Sequence, residues 1–256
     1  MNSGPSLLSY LWAVAIAANA ILVVRLYALG LHKSYPYFFT YLIFQTARSL
    51  ALIAFPVSSF TFAYIFVYTQ PVLWVFYVLV VLEVYDKVLN DWKGIKSLGQ
   101  WALYGSLVIA VGVSFLTLIP FWGKEDSKLL FWVTTVERGV LTSVLLFLFL
   151  ILLFLSRYPL HLRRNIIVHC VVYTIFFLGL SMTLLVRNVR GWAIMPTLNH
   201  VVEIISLACY GVWIIFLTKK GEERTVALKH SDPADERRRI EQLKLLNDTL
   251  LRAVRK

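Results

Sequence analysis

Charged residues are scarce in this sequence: they make up 15% of its 256 residues, whereas 59% are hydrophobic. Soluble domains carry about 25% charged residues, so this composition excludes an ordinary soluble protein and indicates an integral membrane protein. The net charge of +11 comes from basic residues at the ends of apolar segments and in the C-terminal tail. Membrane lipids with anionic headgroups are the expected partners there, and no motif in the sequence predicts binding of nucleic acid.

Cysteine and histidine are also rare. Cys170 and Cys209 each lie inside an apolar segment, which predicts two small buried side chains and excludes a disulfide framework. The histidines inside apolar segments are His169 and His200, near opposite ends of the membrane. A zinc hydrolase needs three or four ligands in one shell, and a bis-histidine haem needs two histidines at one level, so the sequence argues against both.

Two other chemistries are disfavoured by missing residues. The segment 194–217 contains no lysine for a retinal Schiff base. Serine and cysteine nucleophiles lack a histidine at a matched level to serve as base. His200 with Glu203 and Glu137 has donor atoms for a metal, but His-x-x-Glu is a common accidental spacing. No cofactor, metal ion or catalytic residue is therefore predicted, and enzymatic activity has no support in the sequence.

Seven segments are long and apolar enough to cross a bilayer as helices, which takes about 20 residues each. Proline near several of their ends is typical of helix boundaries. The predicted fold is an all-α bundle of seven transmembrane helices over residues 1–220, followed over 221–256 by a linker and an amphipathic helix. The predicted spans are 7–29, 36–57, 63–85, 101–120, 128–155, 165–187 and 194–217.

Lysine and arginine are distributed unequally between the connections. With the N-terminus outside, the outer connections hold only Lys124, Lys128, Arg187 and Arg190. The positive-inside rule then predicts a multi-pass protein of the inner (plasma) membrane, with its N-terminus outside and its tail helix in the cytoplasm. The basic residues of the inner connections are Arg25, Lys33, Lys87, Lys93, Lys96, Arg157, Arg163 and Arg164, and a basic tail follows from Lys219.

Three charged residues fall at one predicted depth. Counted from the outer ends of their segments at about 1.5 Å per residue, Arg48, Glu137 and Glu203 each lie about 14 Å deep. A charge near the centre of a bilayer costs about 3 kcal/mol, so such side chains normally face the inside of the bundle and find partners there. The sequence therefore predicts a polar cluster in the outer half of the bundle.

Two further residues extend this predicted cluster. Arg138 follows Glu137 and points about 100° away around the helix, so each is expected to find its own partner. Arg48 is predicted to pair with Glu137. Arg138 is predicted to pair with Glu203, unless the two pairs are crossed, and His200 lies one turn outward of Glu203. Two interpretations stay open: a structural ion-pair lock that fixes the helices, and a site for a ligand or an ion.

A second group of polar residues is expected near the inner surface. Glu83 and Asp86 end the span 63–85, within reach of Arg25 and His169. Polar side chains this close to the interface extend into the headgroup region, so the predicted role is a solvated anchor. The alternative is an inner gate or a docking site for a partner.

The chain beyond Lys220 is predicted to form an amphipathic helix from Pro233. Its residues at a seven-residue a/d spacing include an asparagine at an a position, which favours a parallel homodimer. Leu245, Leu246 and Leu251 widen the apolar face, which suits a helix lying on an anionic membrane surface. A homodimer, a cytoplasmic protein partner and the membrane surface all stay open. The predicted seam is Ile240, Leu243, Asn247, Leu250 and Val254.

Three stretches carry a resemblance: "VLEVYDKVL" at the end of span 63–85, "ERGVL" inside span 128–155, and "YPLHLRRNIIVHC" leading into span 165–187. Over most of residues 1–217 the pattern resembles a group of seven-helix bacterial inner-membrane proteins that has no known activity. It is also similar to the heptahelical input modules of bacterial sensor proteins. The resemblance implies a seven-helix bundle and transfers no functional residue.

The cluster and the tail together predict a receptor-like or sensory module. A polar site open to the outside would change the packing of the helices, and the tail helix would report that change. A transporter or permease for a small solute or for protons is the alternative, and a membrane-embedded enzyme is the third interpretation.

Overall fold

A computed structural model describes residues 7–56, 59–90, 92, 95–97, 99–101, 104–105, 108–109, 112, 128–157, 161–190, 194–223, 225–227 and 233–254. These residues form mainly helices. A short 3-10 helix, Leu31–Lys33, joins the first two helices. The α-helices are α1 (Leu7–Ala28), α2 (Pro36–Ile53), α3 (Phe60–Val88), α4 (Lys128–Arg157), α5 (Arg164–Arg190), α6 (Met195–Phe216), α7 (Lys219–Glu223) and α8 (Pro233–Val254), and the strands are β1 (His161–Arg163) and β2 (Thr225–Ala227).

Five helices are long and apolar enough to cross a membrane, which confirms an integral, multi-pass helical bundle. Five predicted spans correspond to them: 7–29, 63–85, 128–155, 165–187 and 194–217. The candidate spans in the structure are Tyr10–Ala28, Phe60–Val88, Val136–Arg157, Arg164–Arg187 and Thr197–Phe216. Seven spans and the orientation of the chain stay predictions.

The two other predicted spans have different outcomes. For the predicted span 36–57 the structure has α2, which is 18 residues long and ends at Ile53. It falls outside the set of candidate spans because polar residues, among them Gln45 and Arg48, interrupt its apolar sequence. Most of the predicted span 101–120 lies outside the described residues, and its six described residues, 101, 104, 105, 108, 109 and 112, are helical and exposed.

The helices form a closed ring. Each of α1 to α5 contacts the next helix in the chain, α6 returns to contact α1, and α3 also contacts α5 across the bundle. At Gly179 of α5, an added Cβ would lie 2.8 Å from Cδ1 of Ile205 of α6, so the absence of a side chain allows these two helices to approach closely. A ring of this kind buries a continuous interior between six helices.

Local signals explain where several helices begin and end. α1 is followed by Gly30, whose φ of 71° ends the helix in the left-handed region that glycine adopts readily. Pro36 occupies the first turn of α2, where a missing N–H costs nothing. The hydroxyl of Ser59 caps α3 by accepting a hydrogen bond from the backbone N–H of Phe62 at 3.1 Å.

The core of the ring is aromatic at one end. Tyr35, Phe38, Tyr173, Phe177 and Trp213 are among the largest fully buried side chains. They belong to one apolar cluster, and aromatic rings of this size bury 150–250 Å² each. Both cysteines are free and buried, as predicted. We call this end of the ring the tail end, because the chain that follows α6 begins there.

The tail is joined to the ring by a small antiparallel ribbon of two three-residue strands, a local addition to the predicted all-α bundle. β1 pairs with β2 in the register His161 with Ala227, Leu162 with Val226 and Arg163 with Thr225. β1 lies between α4 and α5, whereas β2 follows α7, so the ribbon attaches the tail to a connection of the ring. The predicted boundary between residues 220 and 221 falls inside α7.

The tail helix α8 turns the predicted seam toward the protein itself. Leu243 is 1% exposed and belongs to the same apolar cluster as the ring, and Ile240, Asn247 and Leu250 are half-buried. Leu245 and Leu246 are exposed. The side chain of Val254 lies outside the described side chains. The seven-residue pattern therefore marks a face that the chain itself covers at Leu243, and a homodimer or a cytoplasmic partner stays a prediction.

Candidate functional site: an intramembrane cavity and the tail-end network

A cavity of about 250 Å³ lies inside the ring, in the half of the bundle away from the tail end. All six helices of the ring contribute to its wall. Most of the wall residues come from the N-terminal halves of α1, α3, α4 and α6 and the C-terminal halves of α2 and α5, as antiparallel neighbours require. Tyr41, Tyr77, Phe176 and Tyr210 lie past the middle of their helices, toward the tail end. The polar residues of the wall are Asn19, Tyr41, Gln45, Arg48, Ser49, Gln70, Tyr77, Glu137, Glu203, Ser206 and Tyr210.

A chain of hydrogen bonds joins α2, α3 and α4 beside the cavity. Arg48 donates from Nε to Oγ1 of Thr69 and from Nη2 to Oε1 of Gln70, both at 2.8 Å. Gln70 in turn donates from Nε2 to Oε1 of Glu137 at 2.9 Å. The Arg48 guanidinium also lies over the ring of Phe66, 5.1 Å from its centroid. Gln70 therefore connects the cation to the carboxylate.

A second cation acts on the same carboxylate. Arg187 attracts Glu137 electrostatically, as Arg48 does. Arg187, which is predicted to lie in an outer connection, belongs to the last turn of α5. The charge of Glu137 is thus balanced by two arginines from two helices.

Glu203 differs from Glu137 because its carboxylate has no hydrogen-bond or ion-pair partner in the part of the chain that the structure describes. Two other acceptors in the wall are also unsatisfied: Oδ1 of Asn19 and Oε1 of Gln45 have no hydrogen-bond partner in the described structure. The amide of Asn19 is oriented by its own donor, since Nδ2 donates to the carbonyl of Leu42 at 3.4 Å. Acceptors without donors therefore lie around the cavity.

The floor of the cavity toward the tail end is made by tyrosines. Tyr41, Tyr77 and Tyr210 are all buried. The rings of Tyr41 and Tyr77 are 6.0 Å apart between centroids, and Tyr41 and Tyr210 interact through their hydroxyl groups. Phenolic hydroxyls both donate and accept, so this floor can bind a polar molecule as well as pack against the core.

The predicted cluster is present in part. Arg48, Glu137 and Glu203 share one cavity, as their matched depth predicted. Arg138 and His200 are half-buried and do not belong to the described wall. The predicted direct pair of Arg48 with Glu137 is replaced by the bridge through Gln70. Within the described residues no ion pair of Glu203 with Arg48 or Arg138 is found, and a pairing of Glu203 with either arginine stays a prediction.

Sequence reasoning missed the neutral members of the site. These members carry no charge, and polar or phenolic side chains are common in membrane helices, so the sequence alone does not mark them as parts of a site. They are Thr69, Gln70, Asn19 and Tyr210. One signal was available for Gln70: it lies about 22 positions from Arg48 across a short connection, at the matching depth in the next antiparallel helix.

Glu83 is a buried helix cap, which corrects its predicted role as a solvated anchor. It is 6% exposed, and its two carboxylate oxygens accept hydrogen bonds from the backbone N–H groups of Tyr37 and Phe38, both at 3.0 Å. These amides belong to the first turn of α2, which has no side-chain cap of its own. A carboxylate at a helix N-terminus is favoured by both the free N–H groups and the helix dipole.

The other predicted members of this group do not join Glu83. Asp86 forms an ion pair with Lys96 at 3.2 Å and accepts a hydrogen bond from Gln100, and its side chain is 44% exposed. Arg25 donates to the carbonyl of Leu217 at 3.4 Å, at the C-terminus of α6. The predicted group is therefore three separate contacts, of which only that of Asp86 fits a solvated anchor.

His169 is completely buried, contrary to the prediction. It is 0% exposed, and neither ring nitrogen has a hydrogen-bond partner in the described structure. Its ring lies 4.4 Å from that of Tyr35 and 4.9 Å from that of Phe38, between centroids. The imidazole is thus part of the aromatic core of the tail end.

Glu222 of α7 is the centre of a hydrogen-bonded network at the tail end. Its carboxylate accepts from the hydroxyl of Tyr35 at 2.9 Å and from Nδ2 of Asn165 at 3.2 Å, and it pairs with Nη1 of Arg163 at 2.6 Å. Asn165 is buried and also donates to the carbonyl of Thr218 at 2.9 Å. One carboxylate in the tail thereby contacts the beginnings of both α2 and α5.

Tyr35 is held as a neutral donor in this network. Burial raises the pKa of its phenol far above the usual range, and the adjacent Glu222 carboxylate raises it further. Lys87 lies over the ring, 4.8 Å from its centroid. The hydroxyl therefore keeps its proton, and with it the hydrogen bond to Glu222, through the whole range of physiological pH.

Gly221 is required for this network to close. A Cβ at position 221 would clash with Oδ1 of Asn165. We expect Gly221→Ala to displace Asn165 and to destabilise the attached tail by about 1–3 kcal/mol, the cost of leaving buried polar groups unsatisfied. The measurement is amide hydrogen exchange over 217–227.

Gly211→Ala is the matched control, because no atom lies within 4 Å of the Cβ it would add and alanine favours a helix. Equal exchange in both variants would show that the packing of Asn165 against Gly221 does not hold the tail.

A continuous series of aromatic contacts joins the cavity to Glu222. Tyr210, in the cavity wall, lies 6.2 Å from Trp213 between ring centroids. Trp213 lies 6.2 Å from His169 between ring centroids, and His169 lies 4.4 Å from Tyr35, the residue that donates to Glu222. Each step is a contact between buried rings, so a shift of α6 at the cavity has a physical route to the tail.

The side chains around the cavity are of kinds that bind polar solutes. Among the described residues, no group of three or more histidine, cysteine, aspartate or glutamate side chains has the arrangement of a metal site. Two carboxylates, one guanidinium and several amides and hydroxyls surround a space large enough for a small polar molecule. Such a set of side chains positions and selects a solute by charge and hydrogen bonding.

Comparison of the chain with models of protein families, with curated proteins and with solved structures finds no match. No family is therefore identified, and the resemblance to seven-helix bacterial inner-membrane proteins has no support beyond the helical membrane bundle itself. The identity of the membrane is likewise a prediction. Any statement about function has to come from the cavity and the tail.

Proposed function

We propose that this protein is a receptor-like membrane protein that binds a small polar solute in the cavity and reports its presence through the tail. The observation that carries the proposal is Glu203, a carboxylate inside a membrane-spanning helix that faces a cavity and has no partner among the described residues. A charged side chain inside a membrane bundle costs about 3 kcal/mol and normally marks a functional position. A purely structural residue would have been paired.

The tail supports the second half of the proposal. It begins directly after α6, the helix that carries Glu203 and Tyr210, and Glu222 binds Tyr35 at the beginning of α2. Both helices also form part of the cavity wall. A solute that changes how α2 and α6 pack at the cavity therefore acts on the two helices to which the tail is attached.

Orientation belongs to the same proposal. With the N-terminus outside, as the distribution of basic residues predicts, the cavity lies in the outer half of the membrane and the tail in the cytoplasm. The solute would then arrive from outside, and α8 would present its exposed face, including Leu245 and Leu246, to the inner leaflet or to a cytoplasmic protein.

Coupling between cavity and tail is tested with a double-mutant cycle of Glu203→Gln and Tyr35→Phe. The free energy of local opening is obtained from amide hydrogen exchange over 217–227. Distant sites without a shared partner are additive within about 0.5 kcal/mol, whereas coupled sites are not. We expect the two changes to deviate from additivity by about 1 kcal/mol, the lower range of allosteric coupling energies.

Ile204→Val is the control for an effect of any substitution at this level of α6. Ile204 is the next residue after Glu203, but its side chain is exposed on the outer surface of the bundle. Its cycle with Tyr35→Phe is expected to be additive. Additivity in the Glu203 cycle as well would contradict the proposed reporting by the tail.

Transport of the same solute is the second candidate, and one feature of α3 favours it. Pro71 lies inside this helix directly after Gln70, the residue that bridges Arg48 and Glu137. A proline in a helix interior removes one backbone hydrogen bond and allows a bend, as in helices that gate a site. Accumulation of solute inside proteoliposomes, abolished by Glu137→Gln, would favour transport over sensing.

A further inference from the structure

We propose that the solute of this cavity is a small organic amine whose ammonium group binds the Glu203 carboxylate. This inference rests on the proposed function, since it assigns the class of solute for the same cavity. It follows from an imbalance among the described residues of the wall: their unsatisfied buried polar atoms are acceptors, and Glu203 is a carboxylate with no cation as partner.

The acceptors come from three helices of the ring. Glu203 belongs to α6, Asn19 to α1 and Gln45 to α2, and all three line the cavity. Asn19 is 2% exposed, and its Oδ1 has no partner among the described residues; neither has Oε1 of Gln45. A buried acceptor without a donor is unfavourable, so the wall requires a molecule that supplies N–H or O–H groups.

The charges of the wall indicate which kind of hydrogen-bond donor the solute carries. Glu137 is already attracted by Arg48 and Arg187 and accepts a hydrogen bond from Gln70. Arg48 is fixed by two hydrogen bonds to α3. Among the described residues, no cation pairs with the Glu203 carboxylate, so the solute group that complements this carboxylate locally carries a positive charge. A primary ammonium combines that charge with three donors.

Size and surroundings agree with a small amine. The volume of about 250 Å³ lies just below the roughly 300–1,000 Å³ of pockets for drug-sized ligands. The apolar part of the wall includes Phe66, Leu73 and Phe176, which suits a short alkyl or aryl group attached to the nitrogen. Aromatic rings also attract a cation at close range.

The test measures the melting temperature of the full chain in lipid nanodiscs with four probes of similar size. These are propylammonium, tetramethylammonium, propionate and n-propanol. Propylammonium is expected to raise the melting temperature in a concentration-dependent way, as any ligand of the folded state does. Tetramethylammonium has the charge without an N–H donor, and we expect no comparable rise with it, nor with propionate or propanol.

Two variants of Glu203 test whether the rise in melting temperature with propylammonium depends on this carboxylate. Glu203→Gln is expected to weaken the apparent affinity for propylammonium at least about tenfold, because it removes the charge while keeping the shape. Glu203→Asp keeps the charge and is expected to retain part of the effect, whereas Ile204→Val is expected to behave as the unchanged chain. Equal binding of propylammonium by the chain with Glu203→Gln would overturn the assignment of the ammonium to this carboxylate.

The outcomes separate this inference from the proposed function. Stabilisation by propionate or propanol but not by propylammonium would overturn the amine and leave a solute-binding cavity. Stabilisation by tetramethylammonium equal to that by propylammonium would overturn the role of the N–H donors. No response to any of the probes would overturn the amine, and the cycle of Glu203→Gln with Tyr35→Phe would still decide whether cavity and tail are coupled.

Discussion

Replacing Glu83 by alanine is expected to lower the free energy of unfolding by about 4 kcal/mol. The carboxylate accepts two hydrogen bonds of 3.0 Å from the first turn of α2, and hydrogen bonds to a charged acceptor contribute about 1.5–3 kcal/mol each. In the variant, the N–H groups of Tyr37 and Phe38 lose their acceptor, and Phe38 is fully buried. The measurement is chemical unfolding of the chain in detergent.

Asp86→Ala is the matched control, because Asp86 lies one turn further along α3 and forms a half-exposed ion pair with Lys96. Such pairs contribute at most about 1 kcal/mol, so its loss should be small. Glu83→Gln keeps one acceptor oxygen and should fall between the two. A loss below about 1 kcal/mol for Glu83→Ala would show that the amides of α2 find another acceptor, and that Glu83 does not hold α2 against α3.

The bundle itself was largely predictable, because length and apolarity are properties of each segment alone. Five predicted spans correspond to helices that are long and apolar enough to cross a membrane. The depth of Arg48, Glu137 and Glu203 was also predictable, since it needs only the rise per residue and an alternating direction of the helices. These three side chains do share one cavity.

The partners of these charges were not predictable, because they depend on rotation and spacing of the helices around the ring. A direct pair of Arg48 with Glu137 assumed that α2 and α4 are neighbours. In the structure α3 contacts both of them, and Gln70 of α3 fills the gap with one acceptor and one donor. A neutral amide is suited to this position because it satisfies a cation and a carboxylate at the same time.

Burial near the interface was misjudged for a related reason. Glu83 and His169 were placed at the surface because their position along the helix is close to its end. The tail end is instead closed by the β1–β2 ribbon, α7 and the aromatic core, which contain residues far apart in the sequence. The hydrophobic pattern of one segment cannot predict that distant parts of the chain bury the residues at its end.

Opposite effects on stability are expected for two substitutions in the cavity, Arg48→Met and Glu203→Gln. Arg48→Met keeps an unbranched side chain of similar length but leaves Oε1 of Gln70 without its donor and weakens the balance of charge at Glu137. Breaking one side of a buried network of this kind costs about 3–5 kcal/mol. Glu203→Gln neutralises a carboxylate without a partner among the described residues, so we expect no loss, or a gain of about 1 kcal/mol.

Thermal and chemical unfolding in detergent measure both changes, with Lys96→Met as the control for removing a half-exposed cation. If Glu203→Gln loses as much stability as Arg48→Met, the two residues belong to one structural lock, and the search for a functional site has to move to the tail. If the effects are opposite, the cavity contains two different kinds of charge. Arg48 then builds the wall, whereas Glu203 is retained although it opposes folding, which is the behaviour of a residue kept for the solute it binds.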